Sequence, residues 1–262
     1  MKKLKRYQYE RYAVLCKVTY RDDFSPEKLG FSREHYREIA NRWGNVCARI
    51  LWREDKKEVL VVFRGSQTMN EWLINCQCWP KAKQFADTKY NVHAGYDYLL
   101  EQKTNPNPPH YDPNISLFSQ LQMVLYPLIV AGKRISLTGH SSGGSMAILA
   151  ADRLERLYPN SIKRVVTFGQ PSPGFKSFQK AYLLHRRTYR ICCDIDVVTF
   201  LPPLPGIFFH VGKMLWLHNE RIYENTSPVK RFVLSFVSWI VSPFAFHYMH
   251  KYIRNKDFFD DI

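Results

Sequence analysis

The chain reads as a single α/β domain, a mainly parallel central sheet flanked by helices. Two observations carry that reading. Short strand-like runs alternate with helical runs along the chain, an order that builds parallel sheets covered on both faces. The 262 residues, 45% hydrophobic and 23% charged, show no composition break and are long enough to bury a full-sized core.

Each element has its own signal. Ser32 to Trp43 carries apolar residues at helical spacing and is expected to be a helix. A hairpin is expected next, from Val46 to Trp52 and from Glu58 to Phe63, turning at Asp55-Lys-Lys57. Val92 to Gln102 and Leu117 to Val130 read as helices, and the Pro- and Asn-rich stretch Asn105 to Asp112 as the loop between them. Ile135 to Thr138 is strand-like, and beyond it Met146, Leu149, Ala150 and Leu154 share one helical face. Strands are expected over Arg164 to Phe168 and Thr188 to Cys193, separated by the turn Gly169-Gln-Pro-Ser-Pro-Gly174. A β-like segment from Phe208 to Leu217 follows.

The formal charge of +15 and a pI near 9.6 narrow the partners. The basic residues are spread along the chain, and no RNA-recognition, helix-turn-helix or zinc-finger pattern focuses them, so nucleic acid is not the expected partner. An anionic membrane surface, or only a solvated basic exterior, remains as what the charge reflects. Tyr7, Tyr9, Glu10 and Arg11 interrupt any apolar run at the basic N-terminus, so no signal peptide is read, and a cytoplasmic or membrane-peripheral location is expected. Six cysteines form no paired C-x-x-C spacing and read as structural thiols, with Cys192 and Cys193 facing opposite sides of one strand.

Chemistry is concentrated at Gly139-His-Ser-Ser-Gly143, a G-x-S-x-G sequence set between a strand and a helix. In that setting Ser141 occupies a sharp turn that lifts its hydroxyl above the sheet edge, and a Cβ at residue 139 or 143 would collide with a neighbouring element. The N–H of Ser142 then points from a helix N-terminus toward any oxyanion forming on Ser141. A serine nucleophile needs a base, and the base an orienting acid, in the order Ser, Asp, His. The residue pattern alone leaves Asp194 and Asp196 as acids and His210, His218, His247 and His250 as bases.

Several blocks, taken in order, resemble the fungal-type class 3 lipases of the α/β-hydrolase superfamily. They are Val61-Val-Phe-Arg-Gly-Ser66 with Asn70-Glu-Trp-Leu73, Val92-His-Ala-Gly-Tyr96, Gly139-His-Ser-Ser-Gly-Gly144, Val166-Thr-Phe-Gly-Gln-Pro171, Asp196-Val-Val-Thr-Phe-Leu-Pro-Pro203 and His210-Val-Gly-Lys-Met-Leu-Trp216. They span roughly Val59 to Tyr252. The resemblance implies an α/β-hydrolase core of about 46–255, with 1–45 as an N-terminal extension packing on it. It selects Asp196, at the right distance before Leu201-Pro-Pro203, as the acid, and His247, followed by Tyr252, as the base. His210 and His140 are then structural. It makes the Ser66 and Ser142 N–H groups the oxyanion hole and implies hydrolysis of fatty acyl esters, with triacylglycerol or phospholipid as substrate and no metal or organic cofactor.

Departures from the family are Ser142 where Leu is frequent, Thr199 where Pro is usual, and Met214 or Leu215 in place of a Glu. The resemblance also places a lid over Gln67 to Cys76, with Met69, Trp72 and Leu73 covering the serine. The apolar run Phe232 to Phe246, interrupted by Pro243, is too short to cross a bilayer and reads as a buried helix or an apolar rim. Phe244 and Phe246 are its candidates for the acyl pocket.

Overall fold

A computed structural model describes residues 4–66, 77–104, 115–194, 196–204, 206–219, 221–227, 229–231, 233 and 246–254. An eight-stranded sheet runs through the middle, in the order β1-β2-β3-β6-β7-β9-β11-β12. Its strands are β1 (Tyr36–Ala40), β2 (Val46–Trp52), β3 (Glu58–Phe63), β6 (Arg134–His140), β7 (Ile162–Phe168), β9 (Thr188–Cys193), β11 (Lys213–His218) and β12 (Arg221–Glu224). Pairing is parallel from β3 through β6, β7 and β9 to β11, and antiparallel only at the two margins. The fold is that of an α/β-hydrolase.

Strand alternation sends side chains into two cores. Val59, Val61 and Phe63 of β3, with Ile135 and Leu137 of β6, meet the helices α2 (Ala94–Glu101), α3 (Leu117–Val130) and α4 (Ser142–Leu157). Leu60 and Val62, with Val166, Phe168, Ile191 and Cys193, face α1 (Arg6–Val18) and α6 (Met249–Arg254). Cys192 packs instead with Met214 and Trp216 on the opposite side from Cys193, as alternation requires. Among the described residues no helix is long and apolar enough to cross a membrane.

The hairpin, the helix Leu117–Val130 and the strand Thr188–Cys193 fall where the sequence places them. Three assignments change. Residues 32–43 are not a helix: a single 3-10 turn, Arg33–His35, leads into edge strand β1. Its apolar spacing mimics a helix, but pairing with β2 and the bonds from buried Arg49 to Tyr36 and Glu38 (2.7 Å to the latter) favour the extended chain. The expected helix from Val92 starts at Ala94, because Val92 and His93 finish β5 (Thr88–His93). The segment Phe208–Leu217 splits between β10 (Phe208–Phe209) and β11. β10 belongs to a small antiparallel sheet, β10-β8-β5-β4, with β4 at Pro80–Phe85 and β8 at Gly174–Phe175.

Helix α1 gave no motif signal, yet it buries Tyr9, Tyr12, Ala13, Leu15 and Cys16 along one face. Arg11 pairs with Glu58 at 2.6 Å and Cys16 Sγ lies 3.2 Å from Thr138 Oγ1, so α1 is fastened to β3 and β6. Burial alone would raise the Glu58 carboxyl; Arg11, Ser136 and Lys163 overcome it and hold the group at about 2.

Candidate active site

Ser141 stands between β6 and α4 with φ +57° and ψ −135°, a backbone region that non-glycine residues rarely adopt. Its N–H donates to Phe168 O at 2.9 Å, which ties the turn to β7. The glycines flanking it are required by space. A Cβ on Gly143 would lie 2.5 Å from Phe63 O, and one on Gly139 would lie 2.7 Å from Gly144 N. The turn is a strained strand-to-helix elbow.

Two Asp–His pairs form near the ends of β9 and β11, and they sort the alternatives. His247 Nδ1 lies 2.9 Å from Asp196 Oδ1 and 3.0 Å from Oδ2. His218 Nδ1 lies 2.9 Å from Asp194 Oδ1, and the Asp194 carbonyl accepts Trp216 Nε1–H, so that pair is engaged elsewhere. His250 is exposed and stacks on Tyr248, while His210 Nε2 contacts Thr199 O at 2.9 Å.

Asp196 is wholly buried. Its Oδ1 accepts the Val198 N–H at 3.0 Å, and its Oδ2 accepts the Tyr252 hydroxyl at 2.5 Å. Burial pushes the carboxyl up, but His247, Tyr252 and His140 together outweigh burial and hold it below the usual carboxylate range. The carboxylate therefore stays ionised against His247 at neutral pH.

His140 braces His247 from behind. Its ring lies 4.5 Å from that of His247, its Nε2 contacts His247 O at 2.6 Å and its Nδ1 contacts Tyr20 Oη at 2.9 Å. Accepting from the tyrosine on Nδ1 lets Nε2–H donate to the carbonyl, a neutral tautomer. Burial, reinforced by the charge of His247, pushes its pKa down to about 3. The sequence offered no signal for Tyr20, and it offered Tyr252 only as a pattern marker.

Ser66 N–H donates to Ser142 Oγ at 3.0 Å, and the two hydroxyls are 2.9 Å apart. The expected oxyanion donors are thus neighbours, with the Ser142 hydroxyl lying along the Ser66 N–H. Gly65 lies against the elbow too, since a Cβ there would approach Ser141 Cβ to 3.1 Å. Phe246 is half-buried, with Lys251 Nζ 5.7 Å from its ring centre. Met69, Trp72, Leu73 and Phe244 lie outside the described residues.

A family profile described as Lipase (class 3) matches residues 60–206, more than half of the chain. The chain belongs to the class 3 lipase family. A Rhizomucor miehei lipase is 28% identical over 176 residues, covering 64% of this chain and 44% of its own. A Caenorhabditis elegans lipase is 31% identical over 163 residues, covering 61% and 42%. The class 3 lipase chain described here therefore spans less than half the length of these relatives. Among solved structures, a triacylglycerol lipase whose catalytic centre is formed by a serine protease triad superposes with a TM-score of 0.62, at 18% identity, over 94% of this chain and 92% of its own. A fungal lipase–inhibitor complex superposes with a TM-score of 0.61, at 20% identity, over 80% and 79%.

Proposed function

We propose that this class 3 lipase is a serine hydrolase of fatty acyl esters, using Ser141, His247 and Asp196. The observation that carries the reading is the Asp196–His247 pair, 2.9 Å apart, at the same sheet edge as the strained Ser141 elbow. With Asp196 accepting Nδ1–H, the other ring nitrogen is free to act as base. His247 Nε2 takes the Ser141 proton as Oγ attacks the ester carbonyl. The oxyanion takes the Ser66 and Ser142 N–H donors, displacing the Ser142 hydroxyl from the Ser66 N–H. His247 then protonates the departing alcohol, and water repeats the sequence to release the acid. Every group needed for acyl transfer to water is a residue of the chain.

The relatives' names as lipases support a lipid ester over a small soluble one. Triacylglycerol hydrolysis is the first assignment. The charge of +15 favours a second, phospholipid hydrolysis at an anionic surface, since neutral glycerides offer nothing for that charge to attract. Lys251 and Arg254 lie on the helix that follows His247 and add to that charge near the base. Incubation of the purified protein and of Ser141→Ala with a mixed neutral-lipid and phospholipid extract, read by mass spectrometry, separates the readings. Loss of triacylglycerol supports the first and lysophospholipid the second. Vesicle binding with no cleavage of any ester makes the protein a lipid binder that has kept the fold.

A further inference from the structure

Behind the acid loop lies a polar cluster that acyl transfer does not use. Arg190 on β9 and Arg231 are 9% and 2% exposed. Arg231 Nη2 donates to Thr199 Oγ1 at 2.7 Å, and its Nη1 lies 3.6 Å from Met214 Sδ. Its guanidinium sits 4.6 Å from the Phe200 ring centre and 5.9 Å from that of Trp216. Among the described residues Arg190 reaches only Cys192 Sγ, 4.0 Å from its Nη1. His210 joins the cluster through Thr199, whose carbonyl it contacts while Arg231 holds the hydroxyl.

Among the described residues, Arg190 Nε, Arg231 Nε and His210 Nδ1 are buried without a partner, and no carboxylate pairs with either guanidinium. Two buried cations with no counter-charge are strongly unfavourable, and a fold that keeps both calls for a negative charge between them. Their mutual influence is visible. Burial, with Arg231 adding to it, lowers the pKa of Arg190 to about 10, while burial and then Arg190 and Arg231 drive His210 well below its ordinary value.

We infer that Arg190 and Arg231 form a binding site for one halide ion. The surroundings select a halide over an oxyanion. Phe200, Trp216 and Met214 give apolar, polarisable walls, and the Thr199 hydroxyl already donates to Asp196 O at 2.7 Å, so it has no proton left for a phosphate or sulfate oxygen. Thr199 is also the residue that departs from the family's usual Pro. Through it the ion is linked to the acid loop, because Thr199 hydrogen-bonds Asp196 O with both its hydroxyl and its N–H. The inference stands apart from the hydrolase reading, since its test does not use turnover.

Thermal unfolding is measured as chloride replaces gluconate at constant ionic strength. The expected result is a saturable rise in Tm of several degrees for the wild type, absent in Arg190→Met and in Arg231→Met. A ligand that binds only the folded state must raise Tm in this way. Crystals of the wild type grown in bromide should show an anomalous peak within hydrogen-bond reach of Arg190 Nε and Arg231 Nε, a readout that does not depend on either variant folding. An equal rise in variants and wild type, no rise at all, or an ordered water at that place without anomalous signal overturns the site.

Discussion

Gly169→Ala tests the acid–base pair without touching either partner. Gly169 sits at the end of β7 with φ +55°, and a Cβ built there would stand 2.5 Å from Asp196 Oδ2 and 3.0 Å from His247 Nδ1. Carbon–oxygen contacts settle near roughly 3.3–3.6 Å, so the carboxylate must retreat by about 1 Å or lose its hold on the imidazole. A misplacement of about 1 Å costs on the order of 10²-fold in rate, and complete loss of the orienting acid costs up to about 10⁴-fold. The expected kcat on a dispersed medium-chain ester therefore lies between those two reductions. The variant also bears the left-handed backbone cost of about 1–2 kcal/mol. Gly132→Ala is the control, because residue 132 has φ +78° and nothing within 4 Å of its built Cβ. It should lose a few degrees of Tm and keep its kcat. If Gly169→Ala keeps full activity, or if both variants lose activity alike, the argument that Asp196 and His247 act as a pair at this spot fails.

Other consequences are as direct. Ser141→Ala should abolish ester hydrolysis with Tm nearly unchanged, whereas Ser141→Gly, which releases the φ +57° strain, should be equally inactive but melt higher than Ser141→Ala; equal melting points would deny the strain. Asp196→Asn should cost up to about 10⁴-fold in kcat, measured on a soluble short-chain ester, and near-normal turnover would return the acid role to Asp194. Acid stability should fail early. His140 and His93, whose pKa values burial pushes down to about 3 and about 4, and His210, lowered further, stay neutral while the unfolded chain protonates near pH 6.5. Their contribution is complete above pH 6.5 and declines as pH falls toward 4, by about 1.4 kcal/mol per pH unit for each histidine. His93→Phe should shallow that slope by one proton, as read by calorimetry at pH 7, 6 and 5, and an unchanged slope would remove His93 from the account. Anionic vesicles should bind the protein more tightly than neutral ones at low salt and lose that preference as salt rises, since screening acts beyond about 8 Å at 0.15 M. Flotation that is indifferent to lipid charge would leave the +15 without a membrane role.

What the sequence made legible follows from the range over which each signal acts. The elbow is local: Gly139, Ser141 and Gly143 lie within five residues, and their steric demands follow from the turn itself. The parallel strands were legible because both faces of the sheet are covered, which makes them short apolar runs between breakers. Edge strand β1 was not, since only one of its five residues is buried and its apolar residues fall at a helix-like spacing by accident. Choosing Asp196 over Asp194 and His247 over three other histidines needed the family pattern, because each choice depends on contacts across more than twenty residues of chain. Tyr20 acts only through space, and no motif records it; Gly169 lies in the block Val166 to Pro171, but its closeness to Asp196 and His247 shows only in space.

The class 3 match, 60–206, contains Ser141 and Asp196 but stops short of His247, the proposed base, and several of the groups that hold His247 lie on either side of it. Tyr9 Oη on α1 donates to Tyr252 O at 2.5 Å, the Tyr252 hydroxyl donates to Asp196, and Asp196 accepts from His247. The His247 carbonyl takes His140 Nε2–H, and His140 accepts from Tyr20, just past the end of the same helix α1. The hydrogen bonds thus run from one end of the N-terminal helix, through Asp196 and His247, and back to its other end. A residue held at two points of such a circuit loses fewer positions when one contact breaks than it would on a loop held at one end. Helix α1 and Tyr20 just past it therefore help to hold His247, the proposed base, although no motif lies within them.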